Sequence, residues 1–165
     1  YVFPKKMTST YALFATKYGS VDNCFRLEGD DEFTEVPQGI AHFLEHKMFE
    51  QKDDKDPFTF YSERGCDASA NTSNYKTSYL FSGAHSFAEN LNFLLDYVQE
   101  PYFTDENVEK EKGIIAEEIK QYDDEVEWFL DEELRKAVFK DDPVRLYIAC
   151  LFCCLTKTPR PCERR

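Results

Sequence analysis

The sequence predicts an α+β domain in which a mostly antiparallel sheet packs against helices, and three observations carry that prediction. Extended segments with period-two alternation stand near the start of the chain and again at its middle, bounded by short polar turns. Segments with a 3.6-residue apolar period lie between and after them, most with a recognisable start. At 165 residues, with 16% aromatic side chains, the chain can bury a core in spite of its 32% charged residues.

Residues 11–18 (YALFATKY) are apolar on both faces, as a central strand would be, and 21–28 place Val21, Phe25 and Leu27 on one side. Gly19-Ser20 between them suits a two-residue hairpin turn. The acidic stretch 29–35 reads as a loop leading to Pro37, a good first helical residue, so a helix is expected over Pro37–Glu50, PQGIAHFLEHKMFE. Asp56-Pro57 starts another helix, which Gly65 can end. Residues 66–74 (CDASANTSN) are small and polar and read as a sheet edge, while 75–82 alternate with Tyr75, Thr77, Tyr79 and Phe81 on one face. Ser86-x-x-Glu89 has capping-box spacing before a helix carrying Leu91, Leu94, Leu95 and Val98, and Pro101 stops it. Thr104 caps a long helical pattern from Asp105 to about Phe139, with a break near Asp123-Asp124. No repeat or Gly/Ser linker divides residues 1–145, which read as one domain. Residues 146–165, with four Cys, two Pro and a basic end, read as an atypical tail outside the fold.

Composition narrows the function classes. A net charge of −12 argues against a nucleic-acid surface, which needs clustered Lys and Arg, and fits a neutral or basic polypeptide partner better. The longest apolar run, Leu146–Leu155, is too short to span a bilayer, so no membrane is expected. No signal-peptide pattern is visible, and Cys24 and Cys66, standing alone, suit a reducing cytoplasm.

The chemistry concentrates in the helix expected over 37–50. His42 and His46 are i and i+4, so their rings leave one face a turn apart, with Glu45 beside them. Ile40, Ala41, Phe43, Leu44 and Met48 fall on the opposite, packing arc. Two neutral imidazoles at this separation can share one Zn²⁺, and a neighbouring unligated Glu can act as base toward water. The pattern is H-x-x-E-H, the inverse of H-E-x-x-H.

A catalytic zinc site usually takes three protein ligands. On the long helix, Glu111 and Glu118 share the stripe of Ile114, Ile115, Ile119, Tyr122, Val126 and Phe129, whereas Glu117 points about 120° away. A carboxylate carried inward needs a cation or donors. Glu111 and Glu118 stand about 10.5 Å apart along the axis, so both can hardly bind one ion, and periodicity does not choose between them.

At these residues the sequence resembles the pitrilysin/insulysin zinc metallopeptidases, in a bacterial branch of that family. The likeness is carried by Ala41-His42-Phe43-Leu44-Glu45-His46, then Glu111-Lys112-Gly113-Ile114-Ile115 and Glu117-Glu118-Ile119, and runs to about Arg145. It implies the N-terminal catalytic half-domain of that fold, with His42, His46 and Glu118 as ligands of one Zn²⁺, Glu45 as general base and Glu111 behind a ligand. It also implies that an edge strand holds substrate backbone, here Ser69, Ala70, Asn71 and Thr72, although the family's usual Asn-Ala is Ser69-Ala70. Members continue into a second half and a related domain or partner subunit. The expected function is therefore zinc-dependent endopeptidase action on peptides, incomplete in this chain. The alternatives are a non-catalytic zinc-containing half-domain that binds peptides or a partner, and a non-functional fragment.

Overall fold

The chain runs β1 (Thr10–Thr16), β2 (Cys24–Phe25), β3 (Thr34–Glu35), α1 (Ile40–Met48), α2 (Pro57–Ser62), β4 (Cys66–Thr72), β5 (Thr77–Gly83), α3 (Phe87–Tyr97), α4 (Asp105–Asp123), α5 (Val126–Val138) and a 3-10 turn at Pro143–Arg145. This computed structural model describes residues 1–52, 55–123 and 125–149. The expected α+β class is what the fold shows: β1, β5 and β4 form an antiparallel sheet in that order, with helices packed against it. In register, Thr16 and Thr72 both lie opposite Thr77, and Thr10 and Cys66 both lie opposite Gly83.

The expected hairpin between residues 11–18 and 21–28 does not form. β1 pairs with β5 instead, while β2 pairs with β3 in a separate two-stranded ribbon. The turn at Gly19 serves a different contact, because a Cβ there would collide with the backbone of Asn74 and Tyr75. Ser20 N and Val21 N donate to the carbonyls of Ser73 and Asn74, each at 3.1 Å, which stitches this corner to the β4–β5 turn. β1 is also an edge strand rather than a central one. Ala12 packs into the core, but Tyr11 and Leu13 on the other face are exposed.

Helix α1 begins three residues later than Pro37 suggested. Gly39 takes a left-handed conformation, φ 89°, as its N-cap, and Pro37 to Gly39 form the turn into it. Asp56 caps α2 as its sequence implied, accepting from Phe58 N at 3.1 Å and Thr59 N at 3.0 Å. The capping box at Ser86 does not form: Ser86 is left-handed, φ 54°, with no side-chain cap bond, and Glu89 pairs with Arg64. A reciprocal cap does form at α4, where Thr104 Oγ1 accepts from Asn107 N and Asn107 Oδ1 accepts from Thr104 N.

Two clusters make the core. Ala12, Tyr61, Cys66, Tyr79, Phe81, Leu94 and Tyr97 fill the space between the sheet, α2 and α3. Phe43, Ile115 and Ala149 join α1 to α4, with Val108, Ile119 and Tyr147 around them. The stripe read along the long helix holds for Ile115 and Ile119. It fails for Ile114, exposed within α4, and for Val126 and Phe129, which belong to α5 beyond the break and are exposed. Tyr147 and Ala149, in the stretch expected to lie outside the fold, are packed: Tyr147 meets Trp128 edge-on and its carbonyl accepts from Gln38. Residues 150–165, with the Cys-rich remainder of that tail, lie outside the described residues. Cys66 is a buried free thiol, whereas Cys24, expected as an isolated thiol, is disulfide-bonded. Among the described residues no helix is long and apolar enough to cross a membrane.

Candidate active site

The site sits where α1 passes between the two clusters, with α4 on one side and the edge strand β4 on the other. Because Ile115 is fully buried against Phe43, the residues four before and three after it, Glu111 and Glu118, are carried onto the same face of α4. His42, Glu45 and His46 lie one turn apart along α1. The side of α1 that carries them is not an open face, since Glu45 is buried; Lys47, on the opposite arc near Phe43, is wholly buried, paired with Glu50 and set over the Phe103 ring.

The two carboxylates of α4 meet different atoms. Glu111 Oε1 lies 2.8 Å from His46 Nδ1. Glu118 lies on the far side of that ring, with Oε2 at 3.4 Å from His46 Nε2 and Oε1 at 3.8 Å from His42 Nε2. The two Nε2 atoms are 3.2 Å apart. One donor atom from each of His42, His46 and Glu118 therefore falls within 4.8 Å of the others. Glu117 points away, 69% exposed and paired with Lys120.

Glu118 Oε2 is buried without a hydrogen-bond partner, and so is His42 Nδ1. An orphaned carboxylate oxygen facing two imidazole nitrogens is costly unless a cation joins them. The donor set, two imidazoles and a carboxylate, is one that Zn²⁺ accepts. Burial, with help from His46, pulls the His42 pKa down to about 4, so its ring is neutral at pH 7 and can donate a lone pair. Burial opposes protonation of His46 as well, but Glu111, then Glu118 and Glu45, hold its pKa above the ordinary histidine range. Burial pushes the Glu45 carboxyl upward.

The four edge-strand residues divide by face. Thr72 is buried and its hydroxyl donates to Glu45 Oε2. Ser69 and Asn71 are exposed, and Ala70 lies half-buried between them, on the core side with Ala68. β4 pairs only with β5, so one rim of its backbone is unpaired among the described residues. Along that strand opens a cavity of about 440 Å³, bordered by Glu45, His46, Ala68, Ala70 and the stacked rings of Phe49 and Phe58. Sequence reasoning missed three features here: the Thr72 bond to Glu45, the ring pair, and buried Lys47. Period-two spacing, which puts Thr72 on the face of Ala68 and Ala70, was a usable signal for the first.

A helix presenting H-x-x-E-H, facing a second helix that offers one carboxylate to the histidines and another behind them, defines a metallopeptidase-type half-domain. Comparison with known sequences makes the class specific. The chain belongs to the insulinase family, peptidase family M16, whose sequence profile matches residues 32–151. It is 52% identical over 150 residues to an uncharacterized zinc protease of Bacillus subtilis, YmfH, a match spanning 90% of this chain and 35% of that protein. An M16-like protein from Alicyclobacillus acidocaldarius superposes with a TM-score of 0.81 at 48% identity, over 86% of this chain and 33% of the other. Pitrilysin superposes with a TM-score of 0.69 at 16% identity, over 87% of this chain and 15% of its own, which is a likeness of fold. The chain thus spans about a third of the length of the first two relatives.

Proposed function

We propose that this chain is the catalytic half of a zinc-dependent endopeptidase acting on extended peptides. The observation that carries the proposal is the convergence of His42 Nε2, His46 Nε2 and the orphaned Glu118 oxygen, with Glu111 holding the other nitrogen of His46. Those three residues would hold one Zn²⁺, and Glu111 would fix the His46 tautomer and ring angle. Zinc, when bound, supplies Lewis-acid polarisation of water and of the scissile carbonyl.

The chain's own residues do the rest. Glu45 takes a proton from the attacking water and later delivers it to the departing amine nitrogen. Its burial favours that role, since a carboxylate whose pKa is raised takes a proton from water more readily than an exposed one does. The unpaired rim of β4 at Ser69–Thr72 can take up peptide backbone as an added strand, with the cavity beside it receiving a side chain. A second reading is a half-domain that holds zinc and peptide without turnover, since the unpaired rim of β4 is sufficient for binding.

Metal analysis separates these readings. The chain should carry about one zinc, lost in a His42→Ala/His46→Ala double variant. Glu45→Gln should keep the zinc and abolish peptide turnover. Zinc kept with turnover unchanged by Glu45→Gln would remove Glu45 from the chemistry, and no zinc at all would remove the site.

A further inference from the structure

The geometry points to Thr72 as the residue that positions the general base: its side chain serves Glu45 rather than the peptide on the edge strand. This inference rests on the peptidase reading given above.

Thr72 ends β4 with its side chain turned inward, and both it and Glu45 are buried. Its hydroxyl donates to Glu45 Oε2, which ties one carboxylate oxygen and leaves the other as the freer acceptor for water. Thr77, its register partner on β5, has Oγ1 at 3.4 Å from Thr72 Oγ1 and donates to the Tyr18 carbonyl at 2.9 Å. With the Thr77 proton given to Tyr18 and the Thr72 proton to Glu45, no proton lies between the two hydroxyls, so Thr77 packs against Thr72 without donating to it and leaves Glu45 as the acceptor for the Thr72 proton. Tyr18 in turn precedes the corner that Gly19, Ser20 and Val21 press against the β4–β5 turn. The end of β4 is thus held in register by β5 while its one free hydroxyl proton reaches the carboxylate on α1. Thr72 also reaches Glu45 through its backbone N–H, so the strand end holds the carboxylate with two donors, and the hydroxyl is the one a side-chain substitution removes.

The test uses Thr72→Val, which keeps the branched shape and removes the donor, and Thr72→Ser, which keeps the donor. Crystal structures of the zinc-loaded variants should show the Glu45 carboxylate displaced in Thr72→Val and restored in Thr72→Ser, with zinc content unchanged in both, since Thr72 bonds to none of the three metal-facing residues. In peptide turnover, Thr72→Val should lower kcat by about 100-fold, the cost of a displaced catalytic group, with KM unchanged, and Thr72→Ser should recover most of it. Thr77→Val keeps the Thr72 hydroxyl and its packing and should leave the Glu45 carboxylate in place, while Thr72→Ala, which also removes the donor, substitutes for Thr72→Val if that protein does not fold. An unmoved Glu45 carboxylate in the folded Thr72→Val or Thr72→Ala variant, or a raised KM with kcat unchanged, overturns the inference. The structural readout needs no turnover, so failure of the peptidase reading, seen as Glu45→Gln without effect, stays distinct from failure of this one.

Discussion

Glu111 and Glu118 differ by which nitrogen of His46 they face, and that difference orders three substitutions. Glu118→Gln should weaken zinc most, because its oxygens lie against both Nε2 atoms. Glu111→Gln, acting through the ring, should cost about 10- to 100-fold in affinity. Glu117→Gln, exposed beside Lys120, should leave affinity unchanged. Competition with a chromogenic chelator checks the order, and equal losses at 117 and 118 would contradict the geometry. His42 supplies a pH dependence in the metal-free protein. Its folded pKa of about 4 lies below the ordinary 6.5, so the unfolded chain binds the proton more tightly. The resulting stability is fully present above 6.5 and is lost as pH falls toward 4, about 2 kcal/mol of it by pH 5. Urea unfolding at pH 7 and pH 5 should show wild type losing that much more than His42→Gln on acidification. An identical loss in the two proteins would mean that His42 is protonated in the fold.

At the scale of elements, helix starts test how local signals translate into structure. Thr104→Ala should cost about 1 kcal/mol, since it removes half of a reciprocal cap at α4. Ser86→Ala should be close to neutral, and Ser86→Gly should stabilise by about 1 kcal/mol by relieving the left-handed backbone. Denaturant midpoints decide this, and a costly Ser86→Ala would show that the serine hydroxyl caps α3 after all. The same contrast explains what was legible in the sequence. Helix phase is local, so the His42, Glu45, His46 face and the inward course of Glu118 followed from residue spacing. Strand partnership is not local, so alternation in 21–28 could not reveal that β1 would pair with β5, some sixty residues away. Ser86-x-x-Glu89 had the right letters, but Glu89 found Arg64, a partner that only the packed fold brings near. Spacing put both glutamates of α4 on one face, and the choice between them needed the tertiary placement of His46.

For the whole molecule, apolar side chains stand exposed on two outer faces. Tyr11 and Leu13 lie exposed on the outer face of β1, and Val126, Leu130, Leu134 and Val138 recur every fourth residue along α5 with no buried residue on that helix. The first relatives are about three times longer than the region they share with this chain. The groups near His42 and Glu45 all come from α1, α4 and β4. The cavity along β4 is less enclosed, because only one of its walls is a strand edge. Holding a peptide in attack geometry supplies several kcal/mol of catalysis, and an open half-site supplies little of it. The expected outcome is that these 165 residues alone bind zinc yet cleave unstructured peptides very slowly or not at all, and that adding a homologous second half raises the rate. A fluorogenic peptide assay with and without that half measures it. Robust turnover by the chain alone, abolished by Glu45→Gln, would show that the half-domain positions substrate by itself and that the exposed faces serve something other than completing the site.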